Sequence, residues 1–444
     1  MRRASDREDA QPRPVGRKRH PVSHRVQPVA DLRARARGAG DRTPRHEIGY
    51  WDNAHAYDGR VPSWGHRVQK AGGRSVSIGK LHYRDATDAT GFDVQILPMH
   101  VVDGVGDVLG AVRDPLPVRV TCKRLSQEIG PGESSYQRYD RQIADAACRW
   151  LREEQARRSD PPWVLFVGFV SPHFPLIAPL EFYRLYRPED IPLPKPGLAS
   201  GESEHPWLAA FRRCFIFDDF FTDETRRIAI ASYYALVSFL DDNVGRVLAA
   251  LEASGQAANT RVVYASDHGD NLGARGLWGK STMFEESVGI PVVVAEPDVT
   301  RGKVSATPVS LIDVYPTVTR CLDLPELPDE RELPGRSLFE IADEPNDPER
   351  VVLARYHAAG AATGAFMLRR GATSTCTTSA CHPSSSTSRP IPRSSTTSRA
   401  RPAAGLVFKI WSVACAPSSI PRPPTGARRR TRRRSSRRAA AGTR

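Results

Sequence analysis

The run Ser266-Asp267-His268-Gly269-Asp270 gathers acid, imidazole and hydroxyl groups in one short turn. It comes directly after Arg261–Ala265 (RVVYA), a β-branched stretch of strand length. In an open α/β sheet, ligands bind beyond the carboxyl ends of strands, which is where these side chains emerge. Asp267 and His268 are adjacent oxygen and imidazole donors in a Gly-punctuated turn, so both can face one divalent cation. An Asp-His pair alone also describes a solvated turn. The continuation of the chain, Asn271-Leu272-Gly273-Ala274-Arg275-Gly276-Leu277-Trp278-Gly279-Lys280, brings an ammonium close behind.

The elements that must position such a turn are legible. Trp163–Val170 (WVLFVGFV) is a near-continuous apolar run, as in a strand buried on both faces. Gln137–Ala156 has helical spacing, with Ile143, Ala147, Trp150 and Leu151 recurring on one side, and Arg227–Leu251 is a longer helix ended by Ser254-Gly255. Ile290–Ala295 is a further short strand. Strands alternating with helices predict an α/β fold with a mostly parallel sheet and helices on both faces. A length of 444 residues suits one large catalytic domain with a smaller appendage.

Charge is unevenly spread. The net +14 arises from the ends: residues 1–45 hold 13 Lys+Arg against 5 Asp+Glu, residues 371–444 hold 15 against none, and the middle is net −9. The centre is therefore an acidic body, which argues against a nucleic-acid partner. Seven cysteines show neither CxxC pairing nor dense even spacing, so reduced thiols are expected. No apolar run reaches the roughly 18 residues of a membrane helix, and the Arg-rich start lacks a secretory apolar stretch. A cytoplasmic location and no membrane partner are expected; oligomeric state carries no signal.

The stretch YASDHGDNLGARGLWGKSTMFEES resembles the second signature region of type I sulfatases of the alkaline phosphatase superfamily, nearest to choline-sulfatase-like and phosphonate monoester hydrolase members. The resemblance implies that Asp267 and His268 ligate a divalent metal, Ca²⁺ or Mn²⁺, and that Lys280 holds the substrate anion. Ser171-Pro172-His173-Phe174-Pro175 is similar to the family's SPHxP element, which makes His173 a contact to the leaving-group or sulfate oxygen. Ser77-Ile78-Gly79-Lys80-Leu81-His82 is similar to its GKxH element, which implies a cation, Lys80, and an imidazole, His82, beside the nucleophile. Trp51-Asp52-Asn53-Ala54 resembles the segment that offers an amide, here Asn53, to the anion; a turn or helix-cap Asn reads equally well. Val309–Leu322 and Pro334–Leu338 resemble the helix and loop that come next in the family. The resemblance spans residues 46–370 and implies an alkaline-phosphatase-like fold that hydrolyses small-molecule sulfate monoesters. Phosphonate or phosphate esters, or anion binding without turnover, are the alternatives.

One part of the pattern is missing. Type I sulfatases use a Cys in a CxPxR element, oxidised to formylglycine, and an early acidic pair that completes the metal site; neither precedes His46. Across Val29–Arg37, joining the last two bases of each codon to the first of the next permits S-P-I-C-V-P-A-R, and onward to Pro44 it permits A-A-L-A-T-G-R, leading into the in-frame HEIGYWDN. In the tail, the other shift over Ala372–Arg399 exchanges a Ser/Arg tract for an acidic, amphipathic one similar to the closing segment of the same sulfatases. The expected organisation is a basic, out-of-frame or disordered segment at 1–45 and a catalytic domain at 46–340 lacking its N-terminal part. The start of a C-terminal subdomain is expected at 341–371, and an out-of-frame or disordered Ser/Arg/Pro tail at 372–444.

Overall fold

The computed structural model describes residues 20–22, 50, 52, 54–157, 161–197, 204–295, 297, 302–328, 330, 331, 333–378 and 411–416. Twelve strands are described: β1 His20–Val22, β2 Arg74–Gly79, β3 Val94–Ile96, β4 Ile129–Pro131, β5 Trp163–Gly168, β6 Leu176–Ala178, β7 Arg261–Ala265, β8 Val292–Ala295, β9 Val351–Tyr356, β10 Ala365–Arg370, β11 Thr373–Thr378 and β12 Trp411–Ala416. Six helices matter for the argument: α1 Trp64–Lys70, α2 Ser135–Arg157, α3 Pro206–Cys214, α4 Asp223–Ala253, α5 Val314–Cys321 and α6 Leu338–Asp343.

The central sheet has seven strands in the order β1-β8-β7-β12-β5-β2-β3. β2 pairs parallel with β3 and β5, while β12 pairs antiparallel with both β5 and β7. β7 and β5 therefore run the same way, and with β1, β2 and β3 they make five of the seven strands co-directional; β8 and β12 run against them. Every residue of β5 is buried, as its apolar run predicts. Its side chains alternate between two cores. Val164 and Phe166 pack with Trp64 and Val68 of α1, Val314 and Val318 of α5 and Leu338 of α6. Leu165 and Val167 pack with Ile143, Ala147 and Leu151 of α2 and Leu240 and Val244 of α4. This is the helix-covered α/β sheet expected from the sequence.

The long helix α4 begins earlier than apolar spacing alone predicts. Thr222 and Thr225 form a capping box: the Thr222 hydroxyl accepts the Thr225 N–H at 3.2 Å and the Thr225 hydroxyl accepts the Thr222 N–H at 2.8 Å. No described helix is long and apolar enough to cross a membrane.

Two strands fall inside the tail expected to be out-of-frame or disordered. β11 pairs with β10 across the turn at Gly371, whose φ is +53°, and completes a three-stranded antiparallel sheet with β9. The alternating, β-branched TSTCTT suits one exposed-edge strand. β12 fills the place between β5 and β7, whose backbone groups need partners on both sides.

The small sheet is tied to the main body by a buried ion pair. Arg350, just before β9, reaches Asp313 at the start of α5 with contacts of 2.6 and 3.0 Å, and Asp313 has no solvent exposure. The same carboxylate accepts the N–H groups of Ser310 at 2.7 Å and Arg336 at 2.9 Å. Removing one partner leaves an uncompensated buried charge. Arg350→Ala should lower unfolding stability by about 3–5 kcal/mol, read as a shift of the urea midpoint; a change below about 1 kcal/mol would show that water already reaches Asp313.

Candidate functional site

Because β2, β5 and β7 are co-directional, their carboxyl ends lie on one edge, and the motif residues come directly after each of them. Ser266–Asp270 leaves β7, Ser171–Pro175 lies beyond β5, and Lys80 and His82 lie beyond β2. A cavity of about 400 Å³ opens there, lined in part by His173, Ser266, His268, Asp270 and Lys280.

The turn after β7 is held by its own polar atoms. Ser266 Oγ donates to the His268 carbonyl at 2.7 Å, and the Gly269 N–H donates to the Ser287 carbonyl at 2.7 Å. A Cβ on Gly269 would stand 2.1 Å from the Glu286 carbonyl oxygen, so only glycine allows this approach. His268 Nδ1 lies 2.8 Å from the Gly269 carbonyl, which makes Nδ1 the protonated nitrogen and Nε2 the acceptor. Lys280 Nζ reaches that Nε2 at 2.9 Å. Asp270 Oδ1 accepts the N–H groups of both Leu272 and Gly279 at 2.9 Å, closing the loop and fixing the position from which Lys280 projects. Burial pushes the Asp270 carboxyl above the usual carboxylate range, against those two N–H groups and Lys280. The phenol of Tyr233, also on the cavity wall, is pushed well up by burial and by Asp270 and Asp267.

The turn after β5 is anchored from α2. Buried Asp140 accepts the Val170 N–H at 2.7 Å and the Ser171 N–H at 2.8 Å through its two oxygens. Burial raises its pKa, opposed by Ser171, Val170 and the nearby charge of Lys80. His173 Nδ1 donates to the Phe174 carbonyl at 2.8 Å, and Tyr136 meets its ring edge-on with centroids 6.2 Å apart. Nε2 is then the nitrogen able to exchange a proton.

His173, His268 and Lys280 thus meet on one cavity. Asp267 lies beside them, its Oδ2 3.6 Å from His268 Nε2. Lys80 and His82 are not among the residues lining the cavity; the Lys80 N–H donates to the Gly168 carbonyl at 2.8 Å, and His82 Nε2 is buried with no hydrogen-bond partner among the described residues. Asn53 and the segment where CxPxR belongs lie outside the described residues. Sequence reasoning missed Asp140, Asp270 and Tyr233. Asp140 left a signal, an acid on the apolar stripe of α2 that continues through Ile143 and Ala147.

The described residues do not make a complete metal site. Among the described residues no three His, Cys, Asp or Glu side chains converge, and the His268 lone pair that a cation would take accepts from Lys280.

The sequence profile of the sulfatase family matches residues 70–324, more than half of the chain. The chain belongs to the sulfatase family. Within the family it is 27% identical over 330 residues to a choline-sulfatase of Rhizobium meliloti (strain 1021), covering 72% of this chain and 64% of that protein. It is 28% identical over 345 residues to arylsulfatase K of Danio rerio, covering 72% and 61%. The chain therefore spans less than two thirds of the length of these sulfatases. A solved phosphonate monoester hydrolase from Silicibacter pomeroyi superposes with a TM-score of 0.54 at 20% identity over 74% of each chain. A protein solved with its substrate D-glucosamine-2-N,6-O-disulfate superposes at 0.59 and 18% identity over 81% of each. The fold is the alkaline-phosphatase-like one shared with these solved structures.

Two outcomes are expected of the site. Asp140→Asn puts an amide donor against a backbone N–H and should cost about 1–3 kcal/mol of stability in chemical denaturation; an unchanged midpoint would mean the loop does not depend on this anchor. Protein purified with Mn²⁺ or Ca²⁺ and then desalted should retain far less than one equivalent by elemental analysis; stoichiometric retention would show that further ligands complete the pair.

Proposed function

We propose that this chain is a sulfuric ester hydrolase of the sulfatase family acting on small-molecule sulfate monoesters, with turnover impaired as translated because it lacks a CxPxR nucleophile segment. The observation that carries the reading is the convergence of His173, His268 and Lys280 on one cavity at the carboxyl edge of β5 and β7. A sulfate monoester gathers charge on its equatorial oxygens and on the departing oxygen as it reacts. The Lys280 ammonium, held by the closed loop behind it, binds the former. His173, with Nδ1 committed to a carbonyl, offers Nε2 to the leaving oxygen. Lys80 and His82 are read as the cation and imidazole next to the nucleophile, and Asn53 as an amide to the anion.

Members of the sulfatase family use a divalent metal together with formylglycine. Asp267 and His268 are read as the two ligands of that metal this chain retains. A frame change just before His46 and another near Gly371 in the coding sequence account for the missing Cys and for the basic tail. The acidic centre speaks against nucleic acid as a partner. Cys122, Cys148, Cys214, Cys321 and Cys376, all free thiols, support a cytoplasmic location.

Sequencing across codons 15–46 and 370–375 tests the frame changes directly; clean reads matching the frame as translated would remove them. In an assay with aryl and alkyl sulfates, the chain as translated should bind sulfate but show no turnover, because covalent catalysis without its nucleophile loses the chemical step. A frame-corrected protein should turn over, with Lys280→Ala lowering kcat by about 10²–10³ and His173→Ala hurting alkyl sulfates more than aryl ones. Robust hydrolysis by the uncorrected chain would show that the nucleophile lies elsewhere. Sulfate binding without turnover even after correction would leave an anion-binding protein.

A further inference from the structure

The cavity beside Lys280 has a second wall of different character. Besides the polar turn, its lining holds Phe211 at the end of α3, Phe215 and Phe217 just beyond, Phe174, Leu125 and Trp278. At about 400 Å³ it lies near the lower end of small-ligand sites, on the order of 300–1,000 Å³, enough for an anion and one compact body but not for an extended saccharide.

An aromatic wall can take two kinds of guest, a quaternary ammonium over free ring faces or another apolar group against edges and faces. The packing separates them. Trp278 is stacked on Phe221 with centroids 4.0 Å apart, and Phe215 on Phe217 at 5.1 Å. Phe215 already carries a cation, the Arg119 guanidinium 5.3 Å from its centroid, and Phe174 carries Arg124 at 5.9 Å. Phe215 and Phe174, which already hold guanidinium groups, are thus less open to a further cation, and Phe217 has one face stacked on Phe215. Charge points the same way: Lys280 and Arg124 line the cavity, whereas Asp270 is the one carboxylate among its described lining residues and is bonded to two backbone N–H groups. A guest ammonium would meet like charge, and a neutral ring would meet apolar surface.

Resting on the sulfate-ester reading, we infer that this cavity selects sulfate esters of small, uncharged aromatic alcohols over cationic or carbohydrate ones, with Phe217, backed by Phe211 and Phe215, as the specificity-determining wall. The anion is held by the Lys280 side and the leaving group lies against the phenylalanines.

The chain as translated serves as its own binding reagent, with calorimetry against inorganic sulfate, 4-nitrophenyl sulfate, choline sulfate and glucosamine 6-sulfate. The aryl ester should bind roughly tenfold tighter than sulfate, the choline and glucosamine esters no tighter than sulfate. Phe217→Ala should remove about that tenfold for the aryl ester and leave sulfate unchanged, and Phe217→Leu should restore part of it. Choline or glucosamine ester binding tighter than the aryl ester overturns the inference, as does a Phe217→Ala loss equal for sulfate and aryl ester. Equal affinity for all four, with sulfate bound, overturns the inference while the anion grip stands. No binding of any, sulfate included, sinks the sulfate-ester reading itself.

Discussion

The main sheet depends on one requirement: β5, buried over its whole length, must have both rows of backbone hydrogen-bonding groups satisfied. β2 satisfies one row. β7, the next strand running the same way, is one strand further on, and the place between them is taken by β12 from the far end of the chain. That place lies at the middle of the site, because the turns after β5 and β7 flank it on either side. The direction of β12 decides what reaches the cavity edge. A co-directional strand would deliver its carboxyl end, where α/β sheets carry ligand-binding side chains. β12 runs the other way, and Trp411, its first residue, pairs with Gly168 at the site end. The fold is thus closed by a strand that satisfies the backbone without supplying the chemistry of a strand end.

The rest of the site is arranged by buried carboxylates acting on backbone N–H groups. Asp140 fastens the turn that carries His173 to α2, and Asp270 closes the loop that presents Lys280. Each acid is buried at a cost that its hydrogen bonds offset, and each holds a loop that would otherwise be free to reorient. The same device recurs away from the site, where Asp313 gathers two N–H groups and Arg350 to join the small sheet to α5. Function and fold are stabilised here by the same type of contact.

Much of this was legible in the residues. WVLFVGFV has the length and β-branched, aromatic content of a strand buried on both faces, and RVVYA leading into SDHGD placed a polar turn at a strand's carboxyl end. The helices were read from apolar spacing, within a turn or so of their ends, and α4 began early because two threonines cap each other. The partners of Asp140 and Asp270 were not legible. Asp140 stands on the apolar stripe of α2, which marks it as buried, but what it holds is a strand end 30 residues away.

What the sequence determined by itself is local in origin: period, turn chemistry, the order of motifs and the absence of CxPxR are properties of neighbours along the chain. From these came the sulfatase resemblance, the α/β class and the residues Lys80, His82, His173, Asp267, His268 and Lys280. Only the tertiary structure decided which of them share a cavity, gathering His173, His268 and Lys280 and leaving Lys80 and His82 off its lining. Only it showed that Lys280 sits against the imidazole where a cation would bind, that phenylalanines from α3 onward line the same cavity as Lys280, and that a tail strand fills the sheet. Those are distances between residues far apart in sequence, and they are set by which buried groups must be paired once the chain has collapsed.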